Sequence, residues 1–257
     1  MGVSWLVQGA LDFLIDERCH ACGKHTGEPQ NHGEASLLSA PVTVFSLGSL
    51  RLKTRLLCDT CALRVQRWPG PLTLPAQDTL SRVSLHPAFV TDERLLVLIH
   101  LLKFSRRERI APWLARAMAA QLKDFSQAEG SIVVPVPMER SAQRRRGFNQ
   151  AERIARALAR HWKLPLDACA LTKVRPTRAQ STLGRADRLT NLAGAFHADS
   201  SRVRGADVIL VDDLVTTGAT VRACADALRG AQARRVCAVC TGYRDEAAPL
   251  RGPLPQS

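Results

Sequence analysis

Two adjacent aspartates and a threonine-rich loop form the strongest chemical pattern in the sequence. The apolar run 208–211 precedes the aspartates, and Gly218 ends the loop just before a segment with helical periodicity. An apolar strand of this kind delivers the residues after it to the carboxyl edge of a sheet, where open α/β folds bind ligands. Carboxylates accept hydrogen bonds from vicinal ribose hydroxyls, while amides and hydroxyls at a helix start hold a phosphate. The predicted ribose 5-phosphate site consists of Asp212, Asp213, Thr216, Thr217, Gly218 and Thr220.

Other nucleotide-binding patterns are absent from the sequence. No Gly-Lys-Thr/Ser follows the threonine loop, which excludes a Walker A motif, and no Gly-x-Gly-x-x-Gly fingerprint opens a strand and helix. The alternative to a binding site is a strand and turn with a purely structural role.

Two Cys-x-x-Cys pairs near the amino terminus predict a structural zinc site. They are separated by 35 residues, and a hairpin between them brings four thiolates to tetrahedral positions. Gly23 follows the first pair, where a left-handed turn lets backbone amides point at the sulfurs. His20 and His25 are available as substitute ligands, and ordinary buried cysteines are the alternative. The predicted ligands, which leave no open position for catalysis, are Cys19, Cys22, Cys58 and Cys61.

The remaining cysteines are predicted to be core residues. Cys237 and Cys240 have the same spacing, but they fall in a predicted strand, where residues three apart point to opposite faces. Their sulfurs therefore cannot share one metal ion. Cys169 and Cys224 are interpreted as small buried apolar residues.

Apolar periodicity predicts an α/β fold with a parallel sheet flanked by helices, preceded by a small β-hairpin at 41–57. The order strand, loop, helix, strand across 208–241 is typical of parallel sheets. The predicted helices cover 92–103, 110–122, 150–162 and 219–229, and the predicted strands cover 132–136, 208–211 and 235–241.

Three prolines within 68–75 predict a linker, because that segment cannot continue a helix or a central strand. The expected organisation is a cysteine-containing module at 1–67, a linker at 68–77, a larger domain at 78–245 and a disordered tail at 246–257. Since the module has its own metal, chelation is expected to unfold it and spare the larger domain.

Composition excludes several classes of protein. With 257 residues, 46% of them hydrophobic and 23% charged, the chain is long enough for a sizeable core and is neither collagen-like nor a disulfide scaffold. No apolar stretch is long enough to span a bilayer, and 3–15 lacks the features of a signal peptide, so a cytoplasmic protein is expected. The net charge of +13 lies almost wholly after residue 75, which indicates a phosphate-rich partner or a merely solvated basic surface.

Several motifs, in this order, resemble the ComF family of competence and gluconate-associated proteins. They are the cysteine ribbon, Leu-Leu-Lys-Phe at 101–104, Val-Pro-Val-Pro at 134–137, Arg-Gly-Phe-Asn-Gln at 146–150, the segment 180–191 and the aspartate–threonine motif. The resemblance covers about 19–242. It implies a type I phosphoribosyltransferase fold behind a zinc ribbon, phosphoribosyl pyrophosphate (PRPP) with Mg²⁺ as ligand, and an association with DNA uptake.

The resemblance also suggests site residues. Asp212 and Asp213 would hold the ribose hydroxyls and steady positive charge on the ribose ring, and the threonine loop would hold the 5-phosphate. A mobile lid would lie at 178–188, and acceptor recognition would involve Lys103 and Phe104. Candidates for contact with pyrophosphate or nucleic acid are Arg144, Arg145, Arg146, Arg178 and Arg185.

Three functions remain open from the sequence. The first is a phosphoribosyltransferase of unknown acceptor, whose chemistry needs no nucleophilic side chain. The second is a non-catalytic protein that keeps the pocket as a sensor and binds single-stranded DNA through its basic domain. The third is an adaptor whose zinc ribbon docks a competence helicase.

Overall fold

The structure is a computed structural model that describes residues 18–26, 38, 42–47, 50–74, 82–104, 110–175, 192 and 194–244. The strands are β1 (Val42–Leu47), β2 (Leu50–Thr54), β3 (Leu72–Leu74), β4 (Val83–Val90), β5 (Ser131–Pro135), β6 (Leu171–Lys173), β7 (Phe196–Ala198), β8 (Asp207–Val215) and β9 (Arg235–Tyr243). The α-helices are α1 (Asp59–Leu63), α2 (Glu93–Phe104), α3 (Ile110–Gln121), α4 (Arg140–Arg146), α5 (Gln150–Trp162), α6 (Ser200–Val203) and α7 (Ala219–Gly230). A 3₁₀ helix covers Lys123–Gln127.

A five-stranded sheet with the order β3-β4-β9-β8-β5 is the centre of the fold. Strands β4, β9, β8 and β5 are parallel, and β3 adds an antiparallel edge strand. Helices α2, α3 and α5 pack against one face, and α7 packs against the other. The predicted α/β class with a mostly parallel sheet is confirmed.

Strand β8 explains how the fold presents the acidic pair. Ile209 and Val211 pack into the apolar cluster on the α2 side, while Val208 and Leu210 pack into the cluster on the α7 side. Strand β5 pairs with β8 only as far as Val211. The last four residues of β8 therefore extend beyond β5 at the carboxyl edge of the sheet.

Helix α2 lies very close to the sheet because β9 contains a glycine. A Cβ atom on Gly242 would lie 2.6 Å from Leu95 Cδ2 and 2.5 Å from Thr91 Oγ1, so a larger residue would push the helix outward. Asp92 caps the helix start by accepting a hydrogen bond from Leu95 N at 2.9 Å. This fixed position determines where Lys103, near the other end of α2, can reach.

The sequence-based element boundaries hold with two informative differences. Strand β8 was expected to end at 211 but continues to Val215, because β9 pairs with it as far as Tyr243. Part of the predicted linker at 68–77 is strand β3, which pairs with β4 at the sheet edge. A proline-rich segment is compatible with a short edge strand because only one side of that strand needs partners.

The predictions for three of the four other cysteines are confirmed. Cys224 and Cys240 are buried, and Cys237 packs on the face of β9 opposite to Cys240. The prediction of a buried Cys169 is wrong, since this residue is exposed. It lies in the bend before β6, outside both apolar clusters, where its backbone N–H donates to Asp167 Oδ1 at 2.9 Å.

The amino-terminal cysteine segment shares its core with the large sheet. Leu56, Leu57 and Ala62 belong to the same apolar cluster as Leu95 and Leu98 of α2. The division at 1–67, 68–77 and 78–245 stays a prediction, and the tail at 246–257 and the lid segment at 178–188 lie outside the described residues. In the part of the chain that the structure covers, no helix has both the length and the apolar character to cross a membrane.

Candidate ligand-binding site and cysteine cluster

A cavity of about 460 Å³ opens at the carboxyl edge of β5 and β8. Its walls come from α2, the loop after β5, α4, the start of α5, β6, β7, the end of β8 and the start of α7. Six ionisable side chains of the described residues line it, and their formal charges balance. They are Lys103, Glu139, Arg146, Lys173, Asp212 and Asp213.

The side chains of the two aspartates point to opposite faces of β8, and both line the cavity at the sheet edge. Each carboxylate accepts a hydrogen bond from the next backbone N–H: Asp213 N donates to Asp212 Oδ1 at 2.8 Å, and Leu214 N donates to Asp213 Oδ1 at 2.7 Å. Lys103 Nζ lies 2.9 Å from Asp213 Oδ2. These contacts fix both carboxylates, and α2 supplies a cation that offsets one of the two charges.

The two carboxylates differ electrostatically. Burial, followed by the negative charge of Asp213, raises the pKa of Asp212 to about 7, although Lys103 acts in the opposite direction. Asp213 has the lysine as its direct partner. The raised pKa means that a proton on Asp212 is held more tightly than on an ordinary aspartate.

Asp212→Asn is expected to stabilise the protein at pH 8 but not at pH 4. Because the folded chain raises the pKa of Asp212, the folded state holds this proton more tightly, and stability falls as pH rises from about 4 to about 7. The rise in the pKa of Asp212 corresponds to a loss of at most about 4 kcal/mol in the free energy of unfolding. Because water in the cavity weakens this effect, the expected gain in stability on substitution is about 1 to 3 kcal/mol. Urea unfolding of parent and variant at both pH values measures the difference.

Asp207 provides a control of opposite sign. Hydrogen bonds from Arg234 and Arg235 lower the pKa of Asp207 to about 2, so its stabilising contribution is present above about pH 4 and is lost as pH falls towards 2. Asp207→Asn should therefore destabilise the protein at pH 8. If Asp212→Asn also lowers stability at pH 8, the proposed cost of ionising the half-buried Asp212 carboxyl is wrong.

The threonine loop leads from β8 into α7, and its residues differ in their relation to the cavity. Thr220 lines the cavity, whereas Thr216 and Thr217 are half-buried in the loop beside it. Thr217 Oγ1 accepts a long hydrogen bond of 3.4 Å from Ala219 N. Gly218 has φ +73°, and a Cβ there would lie 2.7 Å from Leu74 Cδ2. Strand β3 therefore packs directly on the loop, and only glycine fits.

The predicted arginine candidates are separated by the structure. Arg146, at the end of α4, lines the cavity, while Arg144 and Arg145 are exposed on the same helix and do not line it. Arg178 and Arg185 lie outside the described residues.

Asn149 connects the two helices that flank the arginines to the loop after β5. Its side chain donates from Nδ2 to the Val136 carbonyl at 2.9 Å and accepts from Ala151 N at 3.1 Å. It therefore caps α5 and holds the cavity wall at the same time.

A comparison with known protein families identifies the region that contains the cavity. Residues 114–250 match the model of the phosphoribosyl transferase domain. The chain belongs to the phosphoribosyl transferase domain family. The matched region contains every residue that lines the cavity except Lys103. Lys103 and the cysteine segment precede it.

Relatives of this phosphoribosyl transferase domain protein are named for DNA utilization or for competence. It is 37% identical over 149 residues to the DNA utilization protein YhgH of Escherichia coli K12, a match that covers 56% of this chain and 65% of that protein. It is 28% identical over 201 residues to Competence protein F of Haemophilus influenzae, covering 71% and 88% of the two chains. It is 34% identical over 90 residues to Competence protein ComFC of Bacillus subtilis, covering 35% of each. These names confirm the resemblance to the ComF family.

Sequence reasoning missed four polar residues in the wall of the phosphoribosyl transferase cavity, one of which is Asn149. Glu139 and Lys173 come from a loop and a three-residue strand with no recognisable pattern, so no local signal identified them. Burial lowers the pKa of Lys173, an effect that Glu139 partly offsets. Gln150 closes the motif 146–150, and that motif was the one available signal for it.

The four predicted cysteine ligands come together ahead of the phosphoribosyl transferase domain. Their sulfurs all lie within 4.8 Å of one another, and Cys22 Sγ is 3.8 Å from Cys58 Sγ. A tetrahedral ion with metal–sulfur distances of about 2.3 Å requires a sulfur–sulfur separation of about 3.8 Å. The cluster therefore fits a metal ion, and neither His20 nor His25 belongs to it among the described residues.

The first of the two cysteine turns contains the left-handed glycine that the sequence predicts, but the N–H of this glycine donates to a carbonyl and not to a sulfur. Gly23 has φ +73°, and its N–H donates to the Cys19 carbonyl at 2.8 Å. His20 N donates to the Leu56 carbonyl at 3.0 Å, which ties the two turns together. The second pair opens α1, where Ala62 N donates to the Cys58 carbonyl at 2.9 Å.

Helix α2 links the cysteine cluster to the acidic pair. Near its amino terminus, the Arg94 guanidinium interacts with Cys61 and lies 2.6 Å from Asp92 Oδ2. Near its carboxyl terminus, Lys103 contacts Asp213. Residues of the single helix α2 therefore contact both the cysteine cluster and the acidic pair.

Proposed function

We propose that this protein binds PRPP in the cavity at the end of β8 and transfers its phosphoribosyl group to an acceptor. The observation that carries the proposal is the pair of carboxylates at the carboxyl edge of the sheet, directly before a threonine loop that opens helix α7. Carboxylates suit ribose hydroxyls, and the loop suits a phosphate. The matching family description supports the same assignment.

The proposal assigns roles to the acidic pair, to the threonine loop and to Arg146. Asp212 and Asp213 accept hydrogen bonds from the ribose hydroxyls and favour the positive charge that develops on the ribose ring. The loop from Thr216 to Thr220 holds the 5-phosphate, and Arg146 neutralises charge on the pyrophosphate. Mg²⁺ bound with PRPP would supply further charge neutralisation for the leaving group.

The transfer requires one bond to break and one to form. The bond from ribose C1 to the pyrophosphate oxygen breaks, and pyrophosphate leaves with the electron pair. A nucleophilic atom of the acceptor forms the new bond to C1 and gives up a proton where it carries one. No protein side chain needs to attack, so the site is complete without a nucleophilic residue.

The cysteine cluster has a separate role, for which we propose a structural Zn²⁺ held by Cys19, Cys22, Cys58 and Cys61. Four thiolates satisfy tetrahedral zinc and leave no position for a substrate. Cys22 and Cys58 already have the sulfur separation that this geometry requires.

Release of pyrophosphate from PRPP is the direct test of the proposed reaction. The parent protein, PRPP and Mg²⁺ are incubated with a panel of purine, pyrimidine and other nitrogen heterocycles, and pyrophosphate and ribosylated product are measured. Product with one acceptor class supports the transferase. Calorimetric binding of PRPP without turnover on any acceptor would support a sensor instead, and absence of both binding and turnover would disprove the proposal.

A second candidate function, binding of single-stranded DNA, is favoured by the basic charge after residue 75 and by the names of the relatives. The exposed Arg144 and Arg145 on α4 are suitable phosphate contacts. Since such contacts release counterions, affinity for an oligonucleotide should fall about tenfold or more between 50 and 200 mM salt. Fluorescence anisotropy measures this dependence.

The double variant Arg144→Gln/Arg145→Gln tests which surface is involved. It should bind the oligonucleotide more weakly and with a shallower salt dependence than the parent, because two phosphate contacts are removed. Affinity that does not depend on salt, or no binding at low salt, would contradict this second function.

A further inference from the structure

A second concavity, of about 350 Å³, adjoins the cavity at the end of β8. Lys103 and Leu214 line both, so the two spaces share a boundary. The described wall of this groove is almost wholly hydrocarbon. It consists of Leu96, Val97, Ile99, His100, Lys103 and Leu214. Concave sites with apolar walls and a few polar groups are typical of small-molecule binding.

One face of helix α2 leads from this groove to the acidic pair. Leu96, His100 and Lys103 have the spacing i, i+4 and i+7, which places them on the same face of the helix. Lys103 lies 2.9 Å from Asp213 Oδ2, so this face meets the carboxylates at its carboxyl-terminal end. Leu96 and Val97 are only half-buried by the described residues. Hydrocarbon is therefore accessible within one helix face of the acidic pair.

The sheet order places the groove and the arginine wall on different sides of the acidic pair. Strand β8 lies between β5 and β9. Helix α4, which carries Arg146, follows β5, while α2 approaches the sheet at Gly242 of β9. In a single displacement at a sugar carbon, the nucleophile enters on the face opposite to the leaving group. With pyrophosphate on the side of Arg146, the acceptor arrives from the side of α2.

We propose that this groove is the acceptor subsite and that it selects a nitrogen heteroaromatic ring with hydrocarbon edges over a nucleobase. The inference rests on the proposed function and names its acceptor class. Nucleobases carry carbonyl, amino or N–H groups around their edges, and only His100 and Lys103 offer polar side-chain atoms among the described residues of the groove. Lys103 is already engaged by Asp213. Polar groups that lose water without gaining a partner oppose binding, whereas an apolar ring gains from burial against Leu96 and Val97.

Benzimidazole is the probe for this class, because it has the bicyclic shape of a purine without the polar six-membered ring. Its unprotonated ring nitrogen donates a lone pair to ribose C1, and pyrophosphate leaves with the electron pair of the broken bond. The proton on the other ring nitrogen then passes to solvent, which leaves a neutral ribosylated ring. Hypoxanthine, with the same outline and a polar edge, is the matched comparison.

The test measures kcat/KM for both probes with PRPP and Mg²⁺. The parent should favour benzimidazole by about tenfold or more, because the edge of hypoxanthine is left without partners. Leu96→Gln places an amide of similar length in the groove wall, so kcat/KM for benzimidazole should fall about fivefold or more and the preference should narrow. Leu63→Gln is the matched control and should keep the parental preference. Leu63 is 52% exposed on α1 and lines neither the groove nor the cavity.

Calorimetric binding of PRPP separates this inference from the proposed function. Leu96→Gln should bind PRPP within about twofold of the parent, because Leu96 does not line the PRPP cavity. A parent that binds PRPP but prefers hypoxanthine, or uses neither probe, overturns the acceptor class while PRPP binding stands. Sedimentation showing that Leu96→Gln converts a parental dimer into monomers, with unchanged preference, would assign the groove to a contact between copies and also overturn the inference. Absence of PRPP binding and of product with any acceptor overturns both.

Discussion

Replacing Asp212 and Asp213 together with asparagine is expected to weaken PRPP binding at least about tenfold. Hydrogen bonds to charged acceptors contribute roughly 1.5 to 3 kcal/mol each, and the change removes charge at two positions while keeping size and polarity. Relief of repulsion with the anionic ligand opposes this loss. That relief is small because Lys103 already offsets the charge of Asp213 at 2.9 Å. Calorimetry at pH 8 with Mg²⁺ measures the affinity.

The control for this experiment is Asp226→Asn. Asp226 lies on the exposed side of α7, where it pairs with Arg229 at 3.5 Å, so its replacement changes net charge without altering the cavity. Thr220→Val should also weaken binding of ribose 5-phosphate, since it removes a hydroxyl from the cavity wall without adding bulk. Affinities for PRPP that are equal in the parent and the double variant would refute the assignment of the acidic pair.

Loss of metal from the cysteine cluster is expected to destabilise helix α2 as well as the cysteine segment. Zinc binding of this kind supplies on the order of 10 kcal/mol to folding. The destabilisation should not be confined to the cysteine segment, because Leu56, Leu57 and Ala62 share one apolar cluster with α2. The expectation from the sequence alone, that chelation spares the larger domain, is therefore replaced by a prediction of coupled loss.

Cys58→Ser, together with chelation of the parent, tests this coupling. Purified parent protein should contain one zinc ion per chain, and the variant should lose it, with a fall in Tm and weaker PRPP binding because Lys103 is on α2. Cys169→Ser is the control, since Cys169 is exposed and outside the cluster. Unchanged metal content in Cys58→Ser would rule out the site, and unchanged PRPP affinity after zinc loss would rule out the coupling.

Local patterns were sufficient for the features that depend on neighbours in the chain. The cysteine spacing predicted the ligand cluster, because two tight turns fix the sulfurs relative to their own backbone. The apolar run before Asp212 predicted a strand that delivers carboxylates to a sheet edge. The period-2 alternation of strands correctly placed Cys237 and Cys240 on opposite faces.

Features that depend on contacts between distant segments appeared only in the folded chain. Lys103 is 110 positions from Asp213 in the numbering of the chain, and the approach of α2 to β9 at Gly242 determines that they meet. The sequence predicted that Gly218 precedes a helix, but it did not predict the close approach of Leu74 in β3. Leu74 lies in a segment that was predicted to be a linker. Burial, which raises the pKa of Asp212, results from the packing of several elements at once. The local sequence determines which chemistry a side chain can perform. Tertiary packing determines the partners of that side chain and its exposure to water.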